Sequence, residues 1–329
     1  MKKLIVFCSL LLTSFLFVPQ VNAATASIDA ASVPHPKNIK VTILSTMLAD
    51  AGLGEWGFAA LVEVDGYRVL FDTGARPETV LQNAKDLNID LSQVTDVVLS
   101  HSHGDHTGGL LTLRKAMMIK NRDALSRVHV GQGIFDNRYV KDGTENKSEM
   151  PALRKAYEAT GGVFIIHQEP QQIQPGVWLT GPVKRRYDEQ NWSKGAFVDS
   201  AAGRTEDTLK EDMSMVINAD DGMIVLTGCG HAGIGNILAQ SQEMVPNTKV
   251  HAVIGGLHLF EADETKLEWS AEKMREAGVQ YLLAAHCTGI EATYRLRALL
   301  KLDRKAAVVA AVGSSYSNKT GIDPRRLAR

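Results

Sequence analysis

Cysteine is nearly missing from this chain of 329 residues: there are three, and only Cys229 and Cys287 lie beyond the first apolar run. Two thiols are too few for a disulfide framework or for a finger built on Cys pairs. An excess of one charge is missing too. Lysine and arginine number 36 against 37 acidic residues, with no basic stripe of the kind that follows a phosphate backbone, so nucleic acid is not an expected partner. Long apolar runs are absent with one exception, at the start. "MKKLIVFCSLLLTSFLFVPQVNA" joins two lysines, an apolar run and a small-residue site at Val21-Asn22-Ala23, the three parts of a secretory signal peptide. The run is short for a membrane span, and Cys8 lacks the small-residue surroundings of a lipoprotein site. The expectation is cleavage after Ala23 and a periplasmic or secreted protein. Setting aside Lys2 and Lys3 leaves 34 basic against 37 acidic residues, a formal charge of −3.

What is present has a regular rhythm. Residues 24–38 are small, polar and proline-containing and read as a flexible lead-in. From residue 39 to 329 the chain reads as one domain, with a variable insert at about 115–210. "IKVTILST" and "AALVEVDGYRVLFDTG" predict strands, the second a hairpin turning at Asp65-Gly66. "PETVLQNAKDLNI" predicts a helix opened by Pro77, and "VTDVVLS" a buried strand. The middle predicts a helix at "MPALRKAYEAT", short strands at "GVFIIH" and "GVWLTG", and a polar loop over 187–207. Beyond 212, strands alternate with helices: "MSMVINADDGMIVLTG", "IGNILAQSQEM", "KVHAVIGG", "TKLEWSAEKMREAG", "YLLAAH", "EATYRLRALL" and "AAVVAAV". "GSS" at 313–315 reads as loop. Two sheets faced with helices, an α/β sandwich, would bury these faces.

The first strand-to-loop junction of interest is "LSHSHGDHTGG" at 99–109. His101 and His103 can converge on one ion, while Asp105 and His106 point to a neighbouring one. Imidazole suits zinc, iron and related ions, and a catalytic site keeps a coordination position open for water. Three more histidines each follow an apolar strand: His231 in "LTGCGHAGI", His258 in "IGGLHLF" and His286 in "AAHCTG". Strand ends gather on one edge of a layered α/β fold, where sites are built. His258 is a candidate ligand or a wall of the substrate pocket. His35, His129, His167 and His251 lack this context and read as structural or exposed.

"HSHGDHTGG", with "LFDTG" upstream, resembles the signature of the metallo-β-lactamase-fold hydrolases. "LTGCGHAGI", "IGGLHL" and "HCTG" narrow the resemblance to the subgroup of the dihydropterin–ribofuranosylaminobenzene-phosphate synthase. It runs from about residue 40 to 312 and is weakest across 115–210. It implies a metallo-β-lactamase-like αββα sandwich, two mixed sheets faced with helices, and two divalent metal ions, zinc first with manganese or iron as alternatives. His101, His103 and His231 would hold one ion; Asp105, His106 and His286 the other. Asp72 would orient a ligand by hydrogen bonding. Many relatives carry a bridging aspartate after "LTG", where this chain has Cys229. Either Cys229 is a soft ligand, or the bridge comes from water or from elsewhere, with Asp212 a candidate.

The expected activity is hydrolysis of an ester, lactone, amide or phosphoester by a metal-activated water, with Asp105 orienting that water or moving its proton. The alternatives are a non-catalytic metal-binding protein that senses or binds, and a metal-centred oxidoreductase. Residues 228–233 formally spell G-x-G-x-x-G, but no acidic residue closes the next strand, so a dinucleotide site is not expected. The helix N-terminus after "CGHAG" would favour an anionic group on a small-molecule substrate. In "GPVKRR", Arg185 or Arg186 could recognise phosphate or carboxylate, or the run is a solvated turn. Trp178, Tyr187 and Trp192 are pocket or packing residues. Cys229 and Cys287 each adjoin a proposed ligand, leaving open a disulfide, a metal thiolate or inert thiols.

Overall fold

The computed structural model describes residues 35–141, 143–200 and 203–327. The expected signal peptide and most of the lead-in lie outside the described residues.

The chain opens with β1 (Ile39–Ser45), β2 (Ala59–Val64) and β3 (Tyr67–Phe71). The β2–β3 turn uses Asp65 at φ 46° and Gly66 at φ 90°, the positive pair a two-residue hairpin needs. The Asp65 carboxylate accepts from the amides of Lys37 and Asn38, both at 2.9 Å. Then come α1 (Thr79–Asp86), β4 (Asp96–Leu99), α2 (Gly104–Thr107), α3 (Leu110–Met118) and β5 (Arg127–Gly131). The middle holds β6 (Arg138–Val140), β7 (Glu145–Asn146), α4 (Met150–Glu158), β8 (Val163–His167), β9 (Gln171–Gln174), β10 (Val177–Leu179), β11 (Phe197–Ser200) and β12 (Gly203–Glu206). The remainder is β13 (Met215–Ala219), β14 (Gly222–Thr227), α5 (Ile234–Met244), β15 (Val250–Gly255), α6 (Glu264–Ala277), β16 (Tyr281–Ala284), α7 (Ile290–Leu300), β17 (Ala307–Val309), β18 (Ser315–Ser317) and β19 (Gly321–Asp323).

Two large mixed sheets form, ordered β19-β18-β1-β2-β3-β4-β5-β8 and β17-β16-β15-β14-β13-β10-β9. Between them lies one core, with Val41, Val62, Phe71 and Val98 from the first sheet against Ile217, Leu226, Ile254 and Leu283 from the second. Alternate residues of the same strands face outward. Leu61, Leu70, Val97 and Val128 pack on Val80 of α1, Leu113 of α3 and Tyr157 of α4. Val216, Val225, Val253 and Leu282 pack on Ile237 of α5, Met274 of α6 and Leu296 of α7. Strands covered on both faces read as unbroken apolar runs, and each such side chain is worth roughly 1.5–3 kcal/mol on burial. This is the expected metallo-β-lactamase-like αββα sandwich. Crossovers through α5 and α6 make β14, β15 and β16 parallel. Asp263 caps α6 by accepting from the Lys266 amide at 2.8 Å, and Gly278 ends it at φ 95°.

The structure corrects two local expectations. The stretch 187–207 is not all loop: β11 and β12 pair as a hairpin and extend a small sheet, β12-β11-β6-β7. Within residues 115–210, β5 and β8 belong to the first large sheet and β9 and β10 to the second. "GSS" leads into β18, which pairs antiparallel with β1, and the Ile39 amide donates to the Asn318 side chain at 2.9 Å. In so short a strand the one buried side chain, Tyr316, lies between two serines and gives no alternating apolar signal.

Candidate metal centre

Each histidine singled out on a strand-following loop comes to the same edge of the sandwich. β4 ends at Leu99 and delivers His101, His103, Asp105 and His106, the last two within α2. β14 delivers Cys229 and His231; β15 delivers His258; β16 delivers His286 at the head of a single 3-10 turn, His286–Thr288. The backbone is strained where it must turn toward this centre: Asp72, His258 and His286 have φ of 57°, 51° and 46°. Gly228 is required by close approach, since a Cβ there would lie 2.0 Å from Ser100 Oγ and 2.6 Å from Asp72 Oδ2.

Buried Asp72 is the hub of the first loop. Its carboxylate accepts from the Ser100 amide at 2.7 Å, from Ser100 Oγ at 2.8 Å and from His106 Nδ1 at 2.7 Å. Ser100 Oγ, its hydrogen already given to Asp72, accepts from His101 Nδ1 at 2.9 Å. The Asn191 carbonyl accepts from His231 Nδ1. The Nδ1 protons are thereby fixed, which leaves the Nε2 atoms of His101 and His231 with a free lone pair, the state a metal ligand requires. His101 Nε2 and His231 Nε2 are buried without any hydrogen-bond partner. Burial, reinforced by the neighbouring histidines, holds both rings well below the ordinary imidazole range, which keeps those lone pairs available.

The facing nitrogens define two groups. His101 and His231 converge with Cys229, and His101 also with His103 and Asp105; His106 and His286 converge with the same Cys229. His106 Nε2 lies 3.3 Å from His286 Nε2 and 3.1 Å from Cys229 Sγ, and His286 Nε2 lies 3.2 Å from Asp105 Oδ2. Ligand atoms around a tetrahedral ion at 2.0–2.3 Å stand about 3.3–3.8 Å apart, so these separations suit a cation between them. Without one, burial is outweighed by Asp72 and His106 is raised to about 9. Burial likewise pushes the Cys229 thiol up. Asp105 is held below the usual carboxylate range, against its own burial, by the hydrogen bond from His286. His103 and Asp105 are the members that reach solvent.

Other expected residues sit elsewhere or do other work. Asp212 belongs to none of the converging groups among the described residues; its Oδ2 instead accepts from the Ala232 amide at 2.8 Å and braces the turn after His231. Arg186 pairs with Glu243 on α5 and is not brought to the centre. Arg185 directs its guanidinium to the carbonyls of His231, Thr208 and Leu209, so it braces the ligand loop. The N-terminus of α5 is already taken: Glu189 accepts from the amides of Gly235 at 3.2 Å and Asn236 at 2.8 Å. His258 lies tilted against His231 with ring centroids 4.5 Å apart, its Nδ1 buried and unpartnered. Tyr187 packs on Trp269, Trp192 lies beside Arg185, and Trp178 packs on the helix-side core. Both buried cysteines are free thiols.

Ser100, Asn191 and Trp56 carry no signal of their own in the sequence. Ser100 could have been noticed as the residue between the strand and His101, whereas Asn191 acts through a backbone carbonyl, which any residue has. Trp56 and Phe260 are exposed aromatics in edge contact at 5.3 Å, lying 4.9 Å from His286 and 5.4 Å from His258. They form an apolar rim beside these histidines.

Residues 57–122 match the metallo-beta-lactamase superfamily. Over 270 residues the chain is 30% identical to the 7,8-dihydropterin-6-methyl-4-(beta-D-ribofuranosyl)-aminobenzene-5'-phosphate synthase of Methanocaldococcus jannaschii, which covers 78% of this chain and 89% of that protein. Among solved structures, Tm1679, a metal-dependent hydrolase of the beta-lactamase superfamily, is 29% identical with a TM-score of 0.65, over 80% of this chain and 94% of its own. YhfI of Bacillus subtilis, a metallo-beta-lactamase fold protein, is 14% identical with a TM-score of 0.55, over 86% and 100%. No helix among the described residues is long and apolar enough to cross a membrane.

Proposed function

The chain belongs to the metallo-β-lactamase superfamily, and from that premise we propose that it is an exported metal-dependent hydrolase of a small-molecule ester, lactone, amide or phosphoester. The observation that carries this reading is the pair of buried, unpartnered Nε2 atoms of His101 and His231 beside a second set of converging ligand atoms. In this reading His101, His103 and His231 hold one ion, and Asp105, His106 and His286 the other, with zinc the ion that suits nitrogen ligands at these spacings. Divalent ions bound there supply Lewis acidity and bring the pKa of water down to about 7. The chain's own residues do the rest. Asp72, Ser100 and the Asn191 carbonyl fix the imidazole tautomers, and Asp105, part-exposed at the mouth, can hold and pass on a proton at its carboxylate. Export rests on the sequence of residues 1–23. Recognition of a substrate anion by Arg186 or by the α5 N-terminus has no geometric support, since both are already paired.

The test is metal content of protein purified without chelator, for wild type and His286→Ala, followed by a panel of chromogenic esters, lactones, phosphodiesters and β-lactams. About two ions per chain, fewer in the variant, and turnover of at least one class are expected. One ion or none, unchanged by the substitution, would break the two-ion assignment; two ions with no hydrolysis would overturn the hydrolase. A second reading, transfer to an acceptor other than water, is favoured by the synthase name of the archaeal relative.

A further inference from the structure

The two groups of metal-facing atoms are not separate, because one sulfur belongs to both. Cys229 Sγ lies within 4.8 Å of ligand atoms of His101 and His231 on one side and of His106 and His286 on the other. Its side chain is buried, and its Sγ sits 3.1 Å from His106 Nε2, an edge slightly short of the about 3.3–3.8 Å expected around a shared tetrahedral ion. Gly228 and Gly230 flank it, and at Gly228 no side chain fits. The only carboxylate reaching both groups among the described residues is Asp105, which does so from the part-exposed mouth. Asp212, the other acid considered for a bridge, is tied to the Ala232 amide. Cys287 converges with the same Cys229 and with His258, but with none of the other four histidines; its sulfur accepts from the His258 amide at 3.2 Å and stands 3.8 Å from the Cys229 carbonyl.

We propose that Cys229 is a bridging thiolate, one sulfur atom shared by both ions at the buried side of the centre. This rests on the two-ion reading above. Binding releases the Sγ–H proton to solvent and forms two metal–sulfur bonds, with no change of oxidation state. The thiolate then does for the pair what a bridging carboxylate would do, while its softness favours zinc or cobalt over magnesium or calcium. It also places the one soft donor of the centre where oxidants in bulk water do not reach it.

The experiment counts sulfur per metal. In Cys8→Ala/Cys287→Ala, Cys229 is the sole cysteine of the chain. Zinc-edge X-ray absorption on this protein, loaded with two zinc ions, should give an average of one sulfur per zinc, which a single thiol supplies only if shared. An average of one half, a terminal thiolate, or of zero, overturns the bridge. Cobalt adds an independent readout: wild type carrying two Co(II) ions should show a sulfur-to-cobalt charge-transfer band and an electron-spin signal weakened by coupling when the second ion enters. Both features should vanish in Cys229→Ser and persist in Cys287→Ala. A band that survives Cys229→Ser refutes the proposal. Should wild type bind fewer than two ions, the two-ion reading and the bridge fall together; two ions without sulfur ligation remove only the bridge.

Discussion

Replacing Asp72 by Asn changes one atom and asks whether the tautomer of His106 controls the second ion. The amide is nearly isosteric, so its oxygen can still accept from the Ser100 amide, a bond of 2.7 Å in the wild type. Its nitrogen then stands where Oδ2 accepts from Ser100 Oγ at 2.8 Å and from His106 Nδ1 at 2.7 Å. An amide N–H cannot accept. His106 must therefore turn its Nδ1 lone pair to the new donor and carry its proton on Nε2, the atom facing Cys229 and His286. Loss of an oriented partner of this kind costs about 10–100-fold in metal affinity, or about 1.4–2.7 kcal/mol. Folding should suffer by a comparable amount, about 1–3 kcal/mol, since the shape is kept and one hydrogen bond survives but two acceptor contacts are lost. Competition with a zinc-binding dye resolves the two ions: one dissociation constant should rise 10–100-fold while the other moves little. Nitrogen-15 spectra of the imidazoles should show the His106 proton moved to Nε2. If both ions bind within twofold of wild type, the reasoning from Asp72 to His106 to metal is refuted.

Two further substitutions test the frame around the centre. Gly228→Ala puts a methyl group against Ser100 Oγ and Asp72 Oδ2; overpacking should cost about 1–3 kcal/mol in a urea melt, and metal content should fall, whereas unchanged metal content would show that the supports can shift freely. Burial raises Glu189 to about 7 from an ordinary 4.5, so the folded chain holds more protons than the unfolded chain between those values. Wild type should therefore lose stability as pH rises through that window, by at most about 3 kcal/mol. Glu189→Gln should reduce the slope in melts at pH 5 and pH 8, leaving the part due to Asp212, which burial raises to about 6; an identical slope in the variant would remove Glu189 as a source.

How far the sequence speaks depends on what kind of contact makes each feature. The outward and inward faces of β13 and β14 were legible because Met215, Ile217, Ile224 and Leu226 alternate with Val216, Met223 and Val225 against two different layers. The convergence of the candidate ligand histidines was legible because the loops that carry them follow such strands. In α3 the pattern is broken by Arg114, a core position filled by a charged side chain that donates to the carbonyls of Arg122, Ala124 and Thr160, so the helix did not announce itself. Pro77 marks the helix only loosely, since α1 starts at Thr79. Glu189 and Asn191 were invisible because they act on backbone amides and through a backbone carbonyl across a gap of some forty residues. Arg185 and Arg186 looked alike in the sequence, yet one grips the ligand loop and the other a helix surface; only the fold separates them.

The pairing of β18 with β1 has a consequence for how the protein is made. Until Ser315–Ser317 docks, β1 keeps an unpaired edge, the kind of surface on which other chains can add a strand. The first sheet thus joins segments far apart in the chain, and a product cut short before Ser315 leaves β1 uncovered on that side, open to any factor that binds free edges.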